Sequence, residues 1–277
     1  MGGAETAVWR GRMGLLLGLL VVSWTVGGGL VSSNDGSHLA LSRAQALRRG
    51  TQIDPDRDLC LRVDVARRKG HAYSDRPPGT AWLAMPAVWI GAQLDPTLAQ
   101  WTQENRQIAV QPARRNYART YVARLRDGPP LISLQGTALL VGWHVRLMGA
   151  LGLGILLHLL ASAGVSPWRR RAVVTALALG SLWGPYSTML FSHVTASTMM
   201  LVVWATLQRH GSHSNDAPMA GWLWPVVGGI CGSLAIASDY LLLLAVVPLV
   251  ALHAPPRSWP LWLLGAAPVA LAVALYH

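Results

Sequence analysis

The chain has 277 residues, of which 52% are hydrophobic and only 13% are charged, and its formal net charge is +11. Soluble domains carry about a quarter charged residues, so the composition excludes an ordinary soluble globular protein. Most of the charge lies in one block: eight of the 12 acidic residues fall between Asp35 and Glu104, and 15 of the 23 basic residues fall between Arg43 and Arg126. A polar block followed by a long apolar half predicts an all-α polytopic membrane protein with one large hydrophilic loop.

The positive charge does not indicate a nucleic-acid partner, because the arginines flank apolar stretches and the polar block is also rich in Asp. We expect the lipid bilayer as a partner, with anionic head groups or phosphate facing the basic residues. The two cysteines, Cys60 and Cys231, form neither a disulfide framework nor a metal motif.

The first apolar stretch, 13–31, follows Arg10 and Arg12. We interpret 1–31 as an N-terminal tail and a first transmembrane helix. A cleaved signal peptide is the alternative, because the sequence GGGLVSS resembles a cleavage region of small residues.

Residues 32–135 are predicted to form an exoplasmic loop with juxtamembrane helices. An amphipathic run covers 37–49, and residues 34–37 (NDGS) are candidates for its N-cap. Alternating apolar and polar residues in 58–75, interrupted by Arg-Lys-Gly, predict a short β-hairpin. Its end leads to the segment 73–86, YSDRPPGTAWLAMP.

Pro77 and Pro78 predict an extended approach, and Gly79 releases the chain into a helix. Because 79–92 is short and contains two tryptophans, we expect a helix on the outer leaflet rather than a crossing. The Pro-Pro-Gly corner would then hold Arg76 rigidly at the depth of the lipid head groups.

Six further apolar stretches predict a six-helix transmembrane bundle in 136–277, namely 136–163, 172–190, 192–208, 219–238, 240–253 and 259–276. With 79–92 not counted as a crossing, Arg10, Arg12, Arg169 to Arg171, Arg209 and Arg257 share one face, which the positive-inside rule assigns to the cytoplasm. The sequence therefore predicts about seven spans, with the N-terminus cytoplasmic.

This topology collects polar residues at the outer face: Asp35, Asp75, Arg76, Arg146, His193, Asp239 and Tyr240. Ionisable residues in a membrane are costly and usually line a cavity. Each also has a structural interpretation: Asp35 could cap a helix, Asp75 and Arg76 could form a solvated pair, and Arg146 could reach lipid head groups. His193 and Asp239, taken singly, fit packing or capping better.

The motifs SNDGSHLALSRAQAL, YSDRPPGTAWLAMP, RL in the second span, PYSTMLFSHVTAS and SDY occur in the order found in the GT-C superfamily of membrane glycosyltransferases. The chain resembles the branch that contains protein O-mannosyltransferases and lipid A aminoarabinose transferases. YSDRPPGTA is the most specific of these motifs.

The resemblance implies a transferase that uses a polyprenyl-phosphate sugar, with Asp35 as the catalytic residue and Arg76 and Arg146 at the donor phosphate. Two features depart from the family. Gly36 stands where protein O-mannosyltransferases often have a second acid, and relatives usually continue with further spans, which implies a fragment or short form.

The expected reaction is inverting transfer of the sugar to an acceptor hydroxyl of a lipid, polysaccharide or protein at the exoplasmic face of a bacterial inner (plasma) membrane. The sequence identifies no certain cofactor. A divalent metal near Asp35 is compatible with the sequence, but no cluster of carboxylates at ligand spacing demands one. The alternatives are a transporter or envelope scaffold without enzymatic activity, and an inactive truncated relative.

Overall fold

The computed structural model describes Gly18 and residues 32–47, 50–60, 63–104, 134–212 and 218–277. It is mostly helical, in agreement with the all-α prediction. The chain divides into two compact units, with the boundary between His144 and Val145. We call the described residues 32–144 the N-terminal unit and 145–277 the C-terminal unit.

The N-terminal unit contains helix α1 (Ser33–Ala46), a 3-10 helix (Asp54–Cys60), strands β1 (Val65–Arg68) and β2 (His71–Ser74), and helix α2 (Gly79–Glu104). Helix α1 packs against both the 3-10 helix and α2. The unit also includes the first turns of helix α3 (Gln135–Ser162).

Helix α1 begins earlier than the amphipathic pattern of 37–49 predicts. Its N-cap is Ser32, whose backbone is extended and whose hydroxyl accepts a hydrogen bond from the Asp35 N–H at 3.3 Å. The predicted N-cap within residues 34–37 is therefore wrong, because the hydroxyl of Ser32, two residues upstream, accepts the hydrogen bond from an N–H group of the first turn. Asp35 lies inside the helix.

The predicted hairpin is confirmed. Strands β1 and β2 pair antiparallel with Val65 opposite Ser74, and both turn residues, Lys69 and Gly70, have positive φ angles of 50° and 84°. Two residues in this left-handed region match the right-handed twist of paired strands. Leu59, which the alternating pattern of 58–75 assigned to the hairpin, lies in the 3-10 helix instead.

Helix α2 begins at Gly79, as predicted, but it is 26 residues long and contains Pro86 and Pro96. The predicted end of this helix at residue 92 is therefore wrong. A proline removes one backbone hydrogen bond and bends a helix without always ending it. The side face of α2 contacts α3 at Gly91 and Gly136, where a Cβ atom on either residue would meet the backbone of the other helix.

The C-terminal unit continues α3 and adds helices α4 (Pro167–Gly180), α5 (Trp183–Tyr186), α6 (Ser192–Ser212), α7 (Pro218–Ser238), α8 (Leu243–His253) and α9 (Trp259–Tyr276). Short 3-10 helices, Tyr240–Leu242 and Pro256–Ser258, precede α8 and α9. Helix α7 packs against α6 and α9.

The bounds of α4 and α5 correct the predicted span 172–190. Helix α4 has only 14 residues, and the chain leaves the helical conformation at Ser181 before the single turn of α5. At about 1.5 Å per residue, α4 is shorter than the hydrocarbon core of a bilayer. The predicted break near Asp239 is confirmed between α7 and the following 3-10 helix.

Within the described part of the chain, three helical segments are long and apolar enough to cross a membrane: Gln135–Ser162, Gly221–Ser238 and Pro256–Tyr276. Tyr240–His253 is apolar but shorter. The predicted first span, 13–31, lies outside the described residues apart from Gly18. The seven-span count and the sidedness of the loop therefore stay predictions.

Candidate functional site

The carboxylate of Asp35 lies in the first turn of α1 and is completely buried, with 0% of the residue exposed. The N-terminal turn of a helix carries partial positive charge and stabilises an anionic side chain. The acid predicted from the sequence as catalytic therefore lies where the fold shields a carboxylate from water.

A chain of serine hydroxyls connects this helix turn with the end of the hairpin. The Ser37 hydroxyl donates to the backbone carbonyl of Asp64 at 2.9 Å and lies 2.7 Å from the Ser74 hydroxyl. Since Ser37 has one proton, Ser74 must donate to Ser37 in this arrangement. The Ser74 oxygen in turn accepts the Arg76 N–H at 3.2 Å, which holds the backbone of Arg76 relative to α1.

Arg76 is paired with two acids. Its Nη2 atom lies 2.6 Å from Oδ1 of Asp64, and its Nε atom lies 3.4 Å from Oδ1 of Asp75. The side chain of Asp64 is 12% exposed, whereas those of Arg76 and Asp75 are 32% and 40% exposed. We call Asp64, Asp75 and Arg76 the Arg76 triad. A ligand phosphate must share or replace one of these carboxylates to contact the guanidinium.

Asp75 is the more exposed acid of the triad. Partial burial raises the pKa of its carboxyl above the ordinary value, and the adjacent Asp64 acts in the same direction, whereas Arg76 opposes the shift. Protonation of Asp75 would neutralise the carboxylate on the side of Arg76 that is open to solvent. Asp75 is therefore the acid that an anionic ligand can replace at the lower cost.

Gly36, next to Asp35, brings the backbone of α1 against the 3-10 helix. A Cβ atom at this position would overlap the carbonyl of Leu59. This contact explains why a second acid cannot stand beside Asp35 in this fold. Cys60 follows Leu59 in the same 3-10 helix. Burial raises the pKa of its thiol to about 12, so Cys60 is an unreactive packing residue.

A second polar network supports α1 from the other end. The Nε atom of Arg43 lies 3.1 Å from Asp56, and its Nη1 atom lies 3.9 Å from Asp95. Asp95 also accepts hydrogen bonds from the backbone N–H and the hydroxyl of Thr137, at 2.8 and 2.7 Å. These side chains link α1, the 3-10 helix, α2 and α3 within the N-terminal unit.

In the C-terminal unit the structure brings His193 and Asp239 together. The Nδ1 atom of His193 lies 3.8 Å from Oδ2 of Asp239, and the ring of His193 contacts those of Tyr186 and Phe191 at centroid distances of 5.4 and 6.2 Å. Asp239 also caps the following 3-10 helix by accepting the Leu241 N–H at 3.2 Å. Both structural interpretations of these residues, packing and capping, are thus present beside the contact between histidine and carboxylate.

Tyr240 and Arg146 complete the predicted set. The Tyr240 hydroxyl lies 2.7 Å from Nε2 of His277. Arg146 is only 5% exposed on α3, so protein rather than lipid head groups covers its side chain. The proposal that it reaches head groups does not fit this burial.

Sequence reasoning missed the partners that position Arg76, namely Asp64, Ser37 and Ser74. One signal was available in the alternating run before the hairpin turn. Asp64 immediately precedes Val65, and the pairing of Val65 with Ser74 brings this acid towards the residues next to Arg76. Among the described residues, no group of three or more His, Cys, Asp or Glu side chains could hold a metal ion.

Comparisons with models of protein families, with curated protein sequences and with solved structures gave no significant match to this chain.

Proposed function

We propose that this protein is a membrane glycosyltransferase of GT-C type, which transfers a sugar from a polyprenyl-phosphate donor to an acceptor hydroxyl. The observation that supports the proposal most strongly is the serine network that links α1, the helix that contains Asp35, to the backbone of Arg76. It fixes a buried carboxylate and a partly exposed cation in one unit, as general-base catalysis beside an anionic leaving group requires.

In the proposed reaction the acceptor oxygen forms a bond to the anomeric carbon while the bond from that carbon to the phosphate oxygen breaks. Asp35 takes the proton of the acceptor hydroxyl, and the electron pair of the broken bond stays on the polyprenyl phosphate. The leaving group needs cationic stabilisation rather than a proton, and Arg76 supplies it. Displacement in one step inverts the anomeric centre.

Two movements belong to this mechanism. The acceptor must reach Asp35, which is covered in the described conformation, and the donor phosphate must compete with Asp75 for Arg76. Asp64, which is the closer and more buried partner, keeps the guanidinium in place during the exchange.

We place the reaction at the exoplasmic face of a bacterial inner membrane. Arg146, His193, Asp239 and Tyr240 of the C-terminal unit stay substrate-binding residues predicted from the sequence. The positive-inside distribution of arginines supports this sidedness. The sugar donor and the acceptor lipid, polysaccharide or protein are the proposed partners.

The test is mass spectrometry of the lipids that co-purify with the wild type and with three variants. We expect a polyprenyl-phosphate sugar in the wild type and in Asp35→Asn, because that variant keeps the shape of the site but loses the base. Arg76→Gln should lose most of the donor, since a hydrogen bond to a charged group contributes about 1.5–3 kcal/mol to binding. Arg67→Gln, on the exposed strand β1, is the matched control and should retain it.

The same preparations are then incubated with membrane extract, and release of polyprenyl phosphate is followed. Wild type and Arg67→Gln should consume the bound donor, whereas Asp35→Asn should keep it intact. If all four proteins carry only bulk phospholipid, the donor site is refuted and a scaffold or transporter becomes the better interpretation. Consumption of the donor by Asp35→Asn would refute the role of Asp35 alone.

A further inference from the structure

A cavity of about 260 Å³ lies between α7, α8 and α9 in the C-terminal unit. Its walls are almost entirely apolar and include Gly232 and Ile236 of α7, Val250 of α8 and Leu263 of α9. Val247 and Leu263 line it and are 53% and 69% exposed, so the cavity opens at the surface of the unit as a groove.

The groove arises from unequal helix lengths and from close packing at one point. Helix α9 approaches α7 where the backbone of Trp262 fills the space beside Gly229, and its ring fills the space beside Gly228. Helix α8 has 11 residues, whereas α7 and α9 have 21 and 18. The short helix covers only part of the seam between its neighbours, and the remainder stays open.

The surroundings of the groove decide what can fill it. Both α7 and α9 contain candidate membrane spans, so the opening faces hydrocarbon when these helices cross a bilayer. An unfilled apolar groove at such a surface forfeits the dispersion contacts of its lining, and a linear hydrocarbon chain restores them. The groove therefore fits one acyl chain.

Basic and aromatic residues lie at one end of the groove. Trp259 lines it, and the indole Nε1–H of Trp259 donates to the Ala254 carbonyl at 3.2 Å, which fixes the ring at the rim. Arg257 is exposed and precedes Trp259 by two residues in the adjoining 3-10 helix. A tryptophan and an arginine in this arrangement are typical of the region where lipid head groups meet water.

A second arginine belongs to the same end. The core cluster around Trp262 joins Leu207 of α6 with Ala254, so the chain segments that follow these two residues lie on the same side. Arg209 follows Leu207, and its guanidinium stacks 4.7 Å above the ring of Trp224. This end of the groove is therefore cationic, whereas the groove itself is apolar.

We propose that this groove binds an anionic phospholipid, with one acyl chain between α7, α8 and α9 and the phosphate at Arg257. The predicted sidedness places Arg257 at the cytoplasmic face, where anionic lipids give the membrane its negative surface potential. The site is formed by residues other than those of the proposed sugar donor site and does not depend on glycosyl transfer.

The test measures lipid binding to the full chain in detergent by native mass spectrometry. Phosphatidylglycerol and phosphatidylcholine with identical acyl chains are added in turn. We expect the wild type to bind one phosphatidylglycerol about fivefold more tightly than phosphatidylcholine, which corresponds to one arginine contact at a membrane surface. Arg257→Gln should remove this preference and leave the weaker binding of both lipids.

Two variants fill the groove itself. Ala251→Trp and Val247→Trp introduce a large ring from exposed lining positions of α8, and both lipids should then bind at least fivefold more weakly. Arg171→Gln, at an exposed arginine of α4, is the matched control for charge and should bind like the wild type. Thermal unfolding of each variant identifies a protein that has lost its fold, and the two filling variants provide independent tests.

Three results would overturn the proposal. Equal affinity of the wild type for both lipids would remove the role of the head group. An equal loss in Arg171→Gln and Arg257→Gln would show general attraction between charges rather than a site. If folded Ala251→Trp and Val247→Trp bind lipid normally but change from dimer to monomer, the groove accommodates a second copy of the chain.

Discussion

The absent side chain of Gly36 is as important for the site as the carboxylate beside it. Replacement by alanine would force a Cβ atom into the Leu59 carbonyl, which is backbone and cannot rotate away. We expect Gly36→Ala to lower the free energy of unfolding by about 1–3 kcal/mol, the usual cost of overpacking. Gly221→Ala is the control, because no heavy atom lies within 4 Å of its added Cβ. Thermal unfolding in detergent measures both, and an equal melting temperature for Gly36→Ala and wild type would contradict the packing argument.

At this scale the sequence identifies individual ionisable residues but not their partners. Asp35, Asp75 and Arg76 stand out because the predicted topology places them at the outer face. Asp64 becomes recognisable only once the hairpin returns the chain, which brings a residue 12 positions before Arg76 within 2.6 Å of its guanidinium. The pairing of His193 with Asp239 likewise depends on how α6 and α7 pack, and their separation of 46 residues gives no local signal.

A carboxylate of the 3-10 helix, Asp54, holds the hairpin by a hydrogen bond, and its ionisation should affect the stability of the hairpin. Oδ1 of Asp54 accepts the Ala72 N–H at 2.9 Å, and this bond, with smaller contributions from His71 and Arg57, holds the pKa of Asp54 below its usual 3.8. The ionised form is therefore the one that the folded hairpin prefers. Its stabilisation is complete above about pH 3.8 and is lost as the pH falls through the lowered pKa.

Hydrogen exchange at the Ala72 amide measures this contribution. We expect Asp54→Asn to reduce the protection factor at neutral pH, because the amide oxygen of asparagine accepts a weaker hydrogen bond than a carboxylate does. The difference from wild type should shrink as the pH falls below 3.8 and through the lowered pKa of Asp54, where this carboxylate itself becomes protonated. Asp58→Asn, a neighbouring acid, serves as control, and a difference that stays constant with pH would exclude ionisation of Asp54 as its cause.

Elements were predictable where local chemistry decides them. The turn at Lys69 and Gly70 specifies the hairpin, and Gly79 after two prolines specifies the start of α2. The end of α2 was not predictable, because the helix passes Pro86 and Pro96 while its side face packs on α1 and α3. Tertiary packing outweighs the lost hydrogen bonds, and it leaves no pattern in the residues of α2 themselves.

The predicted topology of the whole molecule can be tested by labelling single cysteines in intact cells. Arg68→Cys, on the hairpin, should react with a membrane-impermeant maleimide from outside, whereas Arg171→Cys should react only after permeabilisation. Cys231 is replaced by alanine in both. Cys60 should give little background, because burial and a pKa of about 12 keep its thiol protonated. Labelling of Arg171→Cys alone in intact cells would reverse the predicted orientation.

The apolar half of the sequence was sufficient to predict a mostly helical chain with helices long and apolar enough to cross a membrane. Boundaries between spans were harder to predict. The apolar run 172–190 lacks a charge that would divide it, yet α4 ends at Gly180 and the chain turns at Ser181. Hydropathy detects the apolar residues but not the side-chain and backbone hydrogen bonds that begin a new helix, such as the bond from the Trp183 N–H to the Ser181 hydroxyl.

The contact between Gly91 and Gly136 has a consequence for sequence evolution. A Cβ atom at position 136 would lie 2.5 Å from the carbonyl oxygen of Gly91, and a Cβ atom at position 91 would lie 2.5 Å from Cα of Thr137. Because Asp95 reaches the Thr137 N–H only at this helix separation, one substitution would disturb both features. Homologous chains should therefore keep Gly91, Asp95, Gly136 and Thr137 together or replace them together, as a coevolving set of four.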